Sequence, residues 1–95
     1  MWMILMTVKL PLEQIKPEWF EEHEMRNQRL RESGVIVANG PFGDGSGGCI
    51  LYNCDSSEID RLVHEDPLIS NGVTDYECRE WNVVFSHQLP SLNAN

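Results

Sequence analysis

Two side chains stand out as a potential acid–base pair, His23 and Asp66. A helical segment carries Trp19, Phe20 and Leu30 on one stripe, with His23 and Asn27 between them at three- and four-residue steps. A histidine on such a stripe is either a packing residue with its nitrogens satisfied or an acid–base group, since imidazole titrates near neutral pH. Asp66 lies seven, four and three positions after Ile59, Leu62 and Val63, so it continues the inward stripe of a second helix. A carboxylate placed there must be paired or hydrogen-bonded, because burying it alone is costly. Local backbone before Pro67 can satisfy it, and so can an imidazole. In the second case the carboxylate fixes the tautomer at one ring nitrogen and leaves the other as a general base or acid. The two residues sit on different helices, so spacing alone does not show that they meet.

The remaining reactive side chains offer less. The run Phe42-Gly43-Asp44-Gly45-Ser46-Gly47-Gly48 is rich in glycine but is no phosphate cradle. No Gly-Lys-Ser/Thr follows it, and it joins strand to strand. It reads as a mobile hairpin loop beside a pocket, with Gly40 and Pro41 before it as candidate substrate-binding residues. Cys49, Cys54 and Cys78 are an odd number without a Cys-x-x-Cys pair, so neither a disulfide framework nor a zinc site is indicated. They read as reduced, mostly buried small hydrophobes. His64 and His87 read as solvated. No metal site and no cofactor is expected.

These residues need a scaffold. The apolar start, Trp2, Ile4, Met6, Val8 and Leu10 alternating with Met3, Leu5 and Thr7, predicts a strand over Met1–Leu10 covered on both faces. It lacks the basic start and cleavage site of a signal peptide and falls short of the ~20 residues a membrane span needs. Pro17 opens a first helix over Pro17–Ser33, with glutamates early, arginines late and Gly34 as its stop. Its many glutamates read as a solvated face paired with its arginines. A short strand over Val35–Ala38 closes at Asn39-Gly40-Pro41, and a second follows over Cys49–Asn53. Asp55-Ser56-Ser57-Glu58 reads as the cap of a second helix, which Pro67 closes. The last strand is expected over Val73–Phe85, with a bulge near Arg79-Glu80 where the apolar parity shifts. A polar tail, 86–95, completes the chain.

The resulting order is β-α-β-β-α-β, a ferredoxin-like α+β fold with a four-stranded antiparallel sheet and two helices on one face. With 95 residues and 10.9 kDa the chain is one domain. Two helices cover one face of such a sheet only. The two-faced first strand therefore predicts a homodimer packed sheet against sheet. Seven Lys and Arg against 15 Asp and Glu give a net charge of −8. That balance speaks against nucleic acid and anionic membrane surfaces as partners, and the setting is expected to be cytoplasmic.

Over about Met1–Phe85 the chain resembles the YCII-related (YciI-like) family. The matching residues are Pro11-Leu12-Glu13, His23, Gly34, Gly40-Pro41, Gly47-Gly48 before Ile50-Leu51, Asp66-Pro67, Gly72, and Tyr76-Glu77 leading to Glu80-Trp81. The resemblance implies a dimeric α+β barrel and a histidine–aspartate centre, which here falls on His23 and Asp66. The family includes a dehydrochlorinase that acts on a chlorinated hydroxyquinol. The opening Met6-Thr7-Val8-Lys9-Leu10-Pro11 is also similar to the muconolactone isomerase family, a relative by fold. The chain departs from the family pattern where Phe42–Ser46 lacks an arginine before the paired glycines, and where Leu68 replaces an aromatic after Asp-Pro. Together these readings predict proton transfer, elimination or isomerisation on a small cyclic or aromatic metabolite. A non-catalytic module holding a small ligand is the alternative.

Overall fold

The computed structural model describes residues 1–87. Most of the polar tail expected over 86–95 lies outside the described residues.

The alternating start forms β1, Trp2–Val8. A single 3-10 turn at Leu12–Gln14 leads into α1, Pro17–Glu32, which Pro17 opens where its missing N–H costs nothing. Glu18 lies in the first turn and Arg29 and Arg31 in the last, as the helix dipole favours. The helix stops where Gly34 adopts φ +82°. There Val35 N–H donates to the Leu30 carbonyl at 2.9 Å and Gly34 N–H to the Arg31 carbonyl at 3.1 Å. Then come β2 (Ile36–Pro41), β3 (Gly47–Tyr52), α2 (Ile59–Glu65), a one-turn α3 (Pro67–Ser70) and β4 (Thr74–Glu80). The sheet is antiparallel throughout, in the order β2-β3-β1-β4, which is the ferredoxin-like arrangement.

One face of the sheet carries Ile4, Met6, Ile36, Ile50 and Tyr52, and these pack with Ile59, Leu62, Val63 and Leu68 from the helical layer. Each such side chain contributes about 1.5–3 kcal/mol by leaving water. The other face presents Met3, Leu5, Cys49 and Leu51, all half-buried and outside the core cluster formed with the helical layer among the described residues.

Several expectations need correcting. β2 runs on through Asn39-Gly40-Pro41, after a bulge between Ile36 and Ala38; as an edge strand it tolerates a proline. β3 begins at Gly47, so the hairpin loop is shorter than the glycine run. The Asp55–Glu58 signature does not cap α2 by side chain: Glu58 precedes Ile59 without a capping bond, and Asp55 accepts only a backbone turn from Glu58 N–H. β4 ends at Glu80 in unbroken register with β1, and no bulge occurs at Arg79-Glu80. The cysteines are free, but Cys78 is exposed and the other two are only half-buried.

Gly47 shows why a side chain is excluded beside β1. A Cβ built there lies 1.8 Å from the Met6 carbonyl oxygen. Gly47→Ala is expected to cost about 1–3 kcal/mol or more, as overpacking does, read as a lower urea midpoint. An unchanged midpoint would contradict the close approach of β1 and β3.

Candidate active site

Asp66 occupies the joint between α2 and α3, with extended backbone at φ −71° and ψ 121°. The joint turns its carboxylate inward, where it is 0% exposed. Oδ1 accepts the Leu68 N–H at 3.0 Å, so the residue does cap local backbone. The same oxygen lies 2.7 Å from His23 Nδ1. Both readings of Asp66 therefore hold at once, and the two helices bring His23 and Asp66 together across 43 residues of sequence.

His23 is not alone on its side of α1. Asn27 Nδ2 lies 3.1 Å from His23 Nε2, so both ring nitrogens are engaged. Arg26, on the same helix face, is buried with it. Its Nη1 donates to Asn27 Oδ1 at 3.0 Å and to the Tyr52 hydroxyl at 2.8 Å. Its Nη2 donates to the Leu62 carbonyl. Nη1 also stands 3.7 Å from Asp66 Oδ2, which gives the buried carboxylate a countercharge. Arg26 thus departs from the solvated arginine–glutamate face expected on α1. That face holds for Arg31, which meets Glu24 at 2.7 Å. The signal for Arg26 was its spacing from His23 and Leu30, three and four residues, which fits the inward stripe as well as Asn27 does.

His23 forms part of the wall of a cavity of about 440 Å³ between the helical layer and the sheet. Met6, Val8, Ile15, Phe20, Ile50 and Leu68 supply apolar walls. Gly40 and Pro41 line it from β2, and Gly47 and Gly48 from β3. Its polar groups besides His23 include Glu24, Asn39 and Thr74, and no Lys or Arg is among its described lining. Thr74 went unnoticed in the sequence. It is buried on β4, and its hydroxyl has no hydrogen-bond partner among the described residues. Asp66 stands behind the wall, reaching the cavity through the imidazole. His64 is exposed, near Asp60 at 3.5 Å, and far from this grouping in role; His87 is exposed as well. Among the described residues no three His, Cys, Asp or Glu side chains converge as metal ligands, and no helix is long and apolar enough to cross a membrane.

Comparison with known proteins places this geometry in context. Residues 1–82 match the family described as the YCII-related domain. The uncharacterized protein YjpA of Bacillus subtilis (strain 168) is 32% identical over 56 residues, a match covering 58% of this chain and 66% of that one. Among solved structures, the 5-chloro-2-hydroxyhydroquinone dehydrochlorinase TftG of Burkholderia phenoliruptrix AC1100, in complex with 2,5-dihydroxybenzoquinone, superposes with a TM-score of 0.68. It is 17% identical, and the match covers 86% of this chain and 94% of that one. At that identity the likeness speaks to the fold.

Tyr52 gives the buried network a signature in solution. Burial pushes its phenol up to about 12, and the adjacent Arg26 charge offsets only part of that rise. Above pH 10 an unfolded tyrosine sheds its proton while folded Tyr52 keeps it. Its contribution is therefore intact below pH 10 and is lost as pH rises towards 12, by about 2–3 kcal/mol in all. Urea unfolding across the alkaline range should show this fall, and Tyr52→Phe should flatten it. A wild-type curve flat to pH 12 would contradict the burial of the phenol.

Proposed function

Because the chain belongs to the YCII-related family, we propose that it is a small-molecule enzyme in which His23 exchanges the proton and Asp66 orients it. The observation that carries this reading is the 2.7 Å contact between His23 Nδ1 and a fully buried Asp66, with the imidazole on a cavity wall. A carboxylate at one ring nitrogen holds the tautomer and supports the charge that develops when the other nitrogen takes a proton. The electron pair left on the substrate then either expels a leaving group such as halide or is reprotonated at another carbon. The first outcome is elimination and the second isomerisation, the latter the muconolactone isomerase-like variant.

The cavity favours a neutral, hydroxylated ring. Its apolar walls suit a ring face, and a lining without Lys or Arg, in a chain of net charge −8, offers little to a carboxylate or phosphate. The dehydrochlorinase of similar fold is named for a ring substrate of that kind. Gly40 and Pro41 would bind the substrate by exposing backbone along the cavity edge. Free cysteines suit a cytoplasmic, reducing setting. The sheet face with Leu5 and Leu51, outside the core cluster, supports a homodimer closed face to face.

A second reading, a binding module without turnover, is favoured by one observation: Asn27 already occupies His23 Nε2. The readings separate on a panel of chlorinated and hydroxylated hydroquinones, followed by halide release and ultraviolet spectra. For the enzyme, His23→Gln should lower turnover about 10²- to 10⁴-fold while ligand binding persists. Binding without turnover by the wild-type protein would select the module. In sedimentation equilibrium the chain should weigh about 22 kDa, twice 10.9 kDa, and Leu51→Lys should return it to the single-chain mass. A wild-type monomer would rule out the homodimer.

A further inference from the structure

The proton on His23 is constrained from two sides. A guanidinium has donors only. Arg26 Nη1 lies 3.0 Å from Asn27 Oδ1, which must therefore be the carbonyl end of the amide. With the amide turned over, two donors would face each other where no water can intervene, because Arg26 is 6% and Asn27 0% exposed. The other end of Asn27, its NH2 group, then stands 3.1 Å from His23 Nε2. An amide NH2 donates and does not accept, so Nε2 must present its lone pair. The ring proton belongs on Nδ1, facing Asp66 Oδ1 at 2.7 Å. Neither partner of the ring can exchange its role, since Asp66 is held by Leu68 N–H and Asn27 by Arg26.

We propose that Arg26 and Asn27 are positioning residues that lock His23 as the Nδ1–H tautomer, so that in the free protein the ring is a proton acceptor and not a proton donor. The proposal rests on the reading of His23 as the acid–base group and fixes its direction: the first proton moves from ligand to protein. The site would accordingly take ligands with an acidic O–H or C–H. Compounds that offer only a carbonyl or ether oxygen would find no donor at this ring. A carboxylate such as Asp66, taken alone, favours the imidazolium over the neutral ring. The Arg26–Asn27 pair opposes protonation of Nε2, which would set its N–H against the amide NH2, so a ligand proton enters only as the ligand takes the place of that NH2 at Nε2.

The test is nitrogen NMR of the full chain with labelled histidine near neutral pH, where pyrrole-type and pyridine-type ring nitrogens are resolved. In the wild-type protein His23 should show a pyrrole-type Nδ1 and a pyridine-type Nε2, without averaging. Asn27→Asp places an acceptor against Nε2 while still satisfying Arg26, and should render both nitrogens pyrrole-type. Asn27→Leu should give partial averaging between tautomers. A wild-type ring protonated on Nε2, or on both nitrogens, overturns the proposal, as does an Asn27→Leu spectrum identical to wild type. If a variant does not fold, the wild-type spectrum still decides. Turnover in His23→Gln is an independent axis. A locked ring with turnover undiminished in that variant defeats the catalytic reading, whereas a freely exchanging ring with turnover lost defeats only the lock.

Discussion

A carboxylate that has lost all contact with water, as Asp66 has, must find its hydrogen bonds and its countercharge inside the protein. One oxygen is shared between the Leu68 N–H and His23 Nδ1, and the other faces the Arg26 guanidinium. Two of these partners come from α1 and one from the first turn of α3. The register of α1 against the α2–α3 joint is thereby fixed, since His23 and Arg26 must reach the same carboxylate from positions three apart. Arg26 in turn needs Tyr52 from β3 and the Leu62 carbonyl from α2. Four elements of the fold thus converge on a single buried negative charge.

The same arrangement governs what the cavity meets. The charges of Asp66 and Arg26 oppose each other behind the wall, while the imidazole is the group of the network that lines the cavity. An apolar pocket with one oriented imidazole suits proton transfer, because low local dielectric strengthens each oriented dipole. Gly48, opposite Met6 on β1 and Pro41 on β2, contributes no side chain at this end of the sheet. The paired glycines thus allow β1, β2 and β3 to approach closely at the backbone.

His23 and Asp66 were legible in the sequence because each is a polar residue continuing an apolar helical stripe. The two-faced pattern of β1 and the order of elements were legible for a similar reason, since periodicity survives without tertiary context. Arg26 was not. Its burial is decided by Tyr52 and Leu62, 26 and 36 residues away, and a long cation on a glutamate-rich helix otherwise reads as solvated. The apolar alternation beyond Glu80 read as continuing strand, but β4 stops where β1 starts: Trp2 pairs with Glu80, and Trp81 N–H donates to the Met1 carbonyl. A strand ends when its partner does, and local sequence does not carry that fact. Thr74, a lone buried hydroxyl, left no pattern to detect.

The outer strands of the sheet have a consequence for how copies can meet. A bare strand edge is a template on which another chain can add, and such addition has no natural end. Here β2 is kinked by its bulge and finishes in Pro41, which has no N–H to offer a newcomer. At the opposite edge β4 presents Asp75, Glu77 and Arg79 on one side, all exposed. Both borders discourage lateral growth. The sheet face with Met3, Leu5, Cys49 and Leu51 is different in kind: were it to pair with its own twin, as proposed, a single pairing would consume it. The borders of the sheet thus work against open-ended edge-to-edge growth.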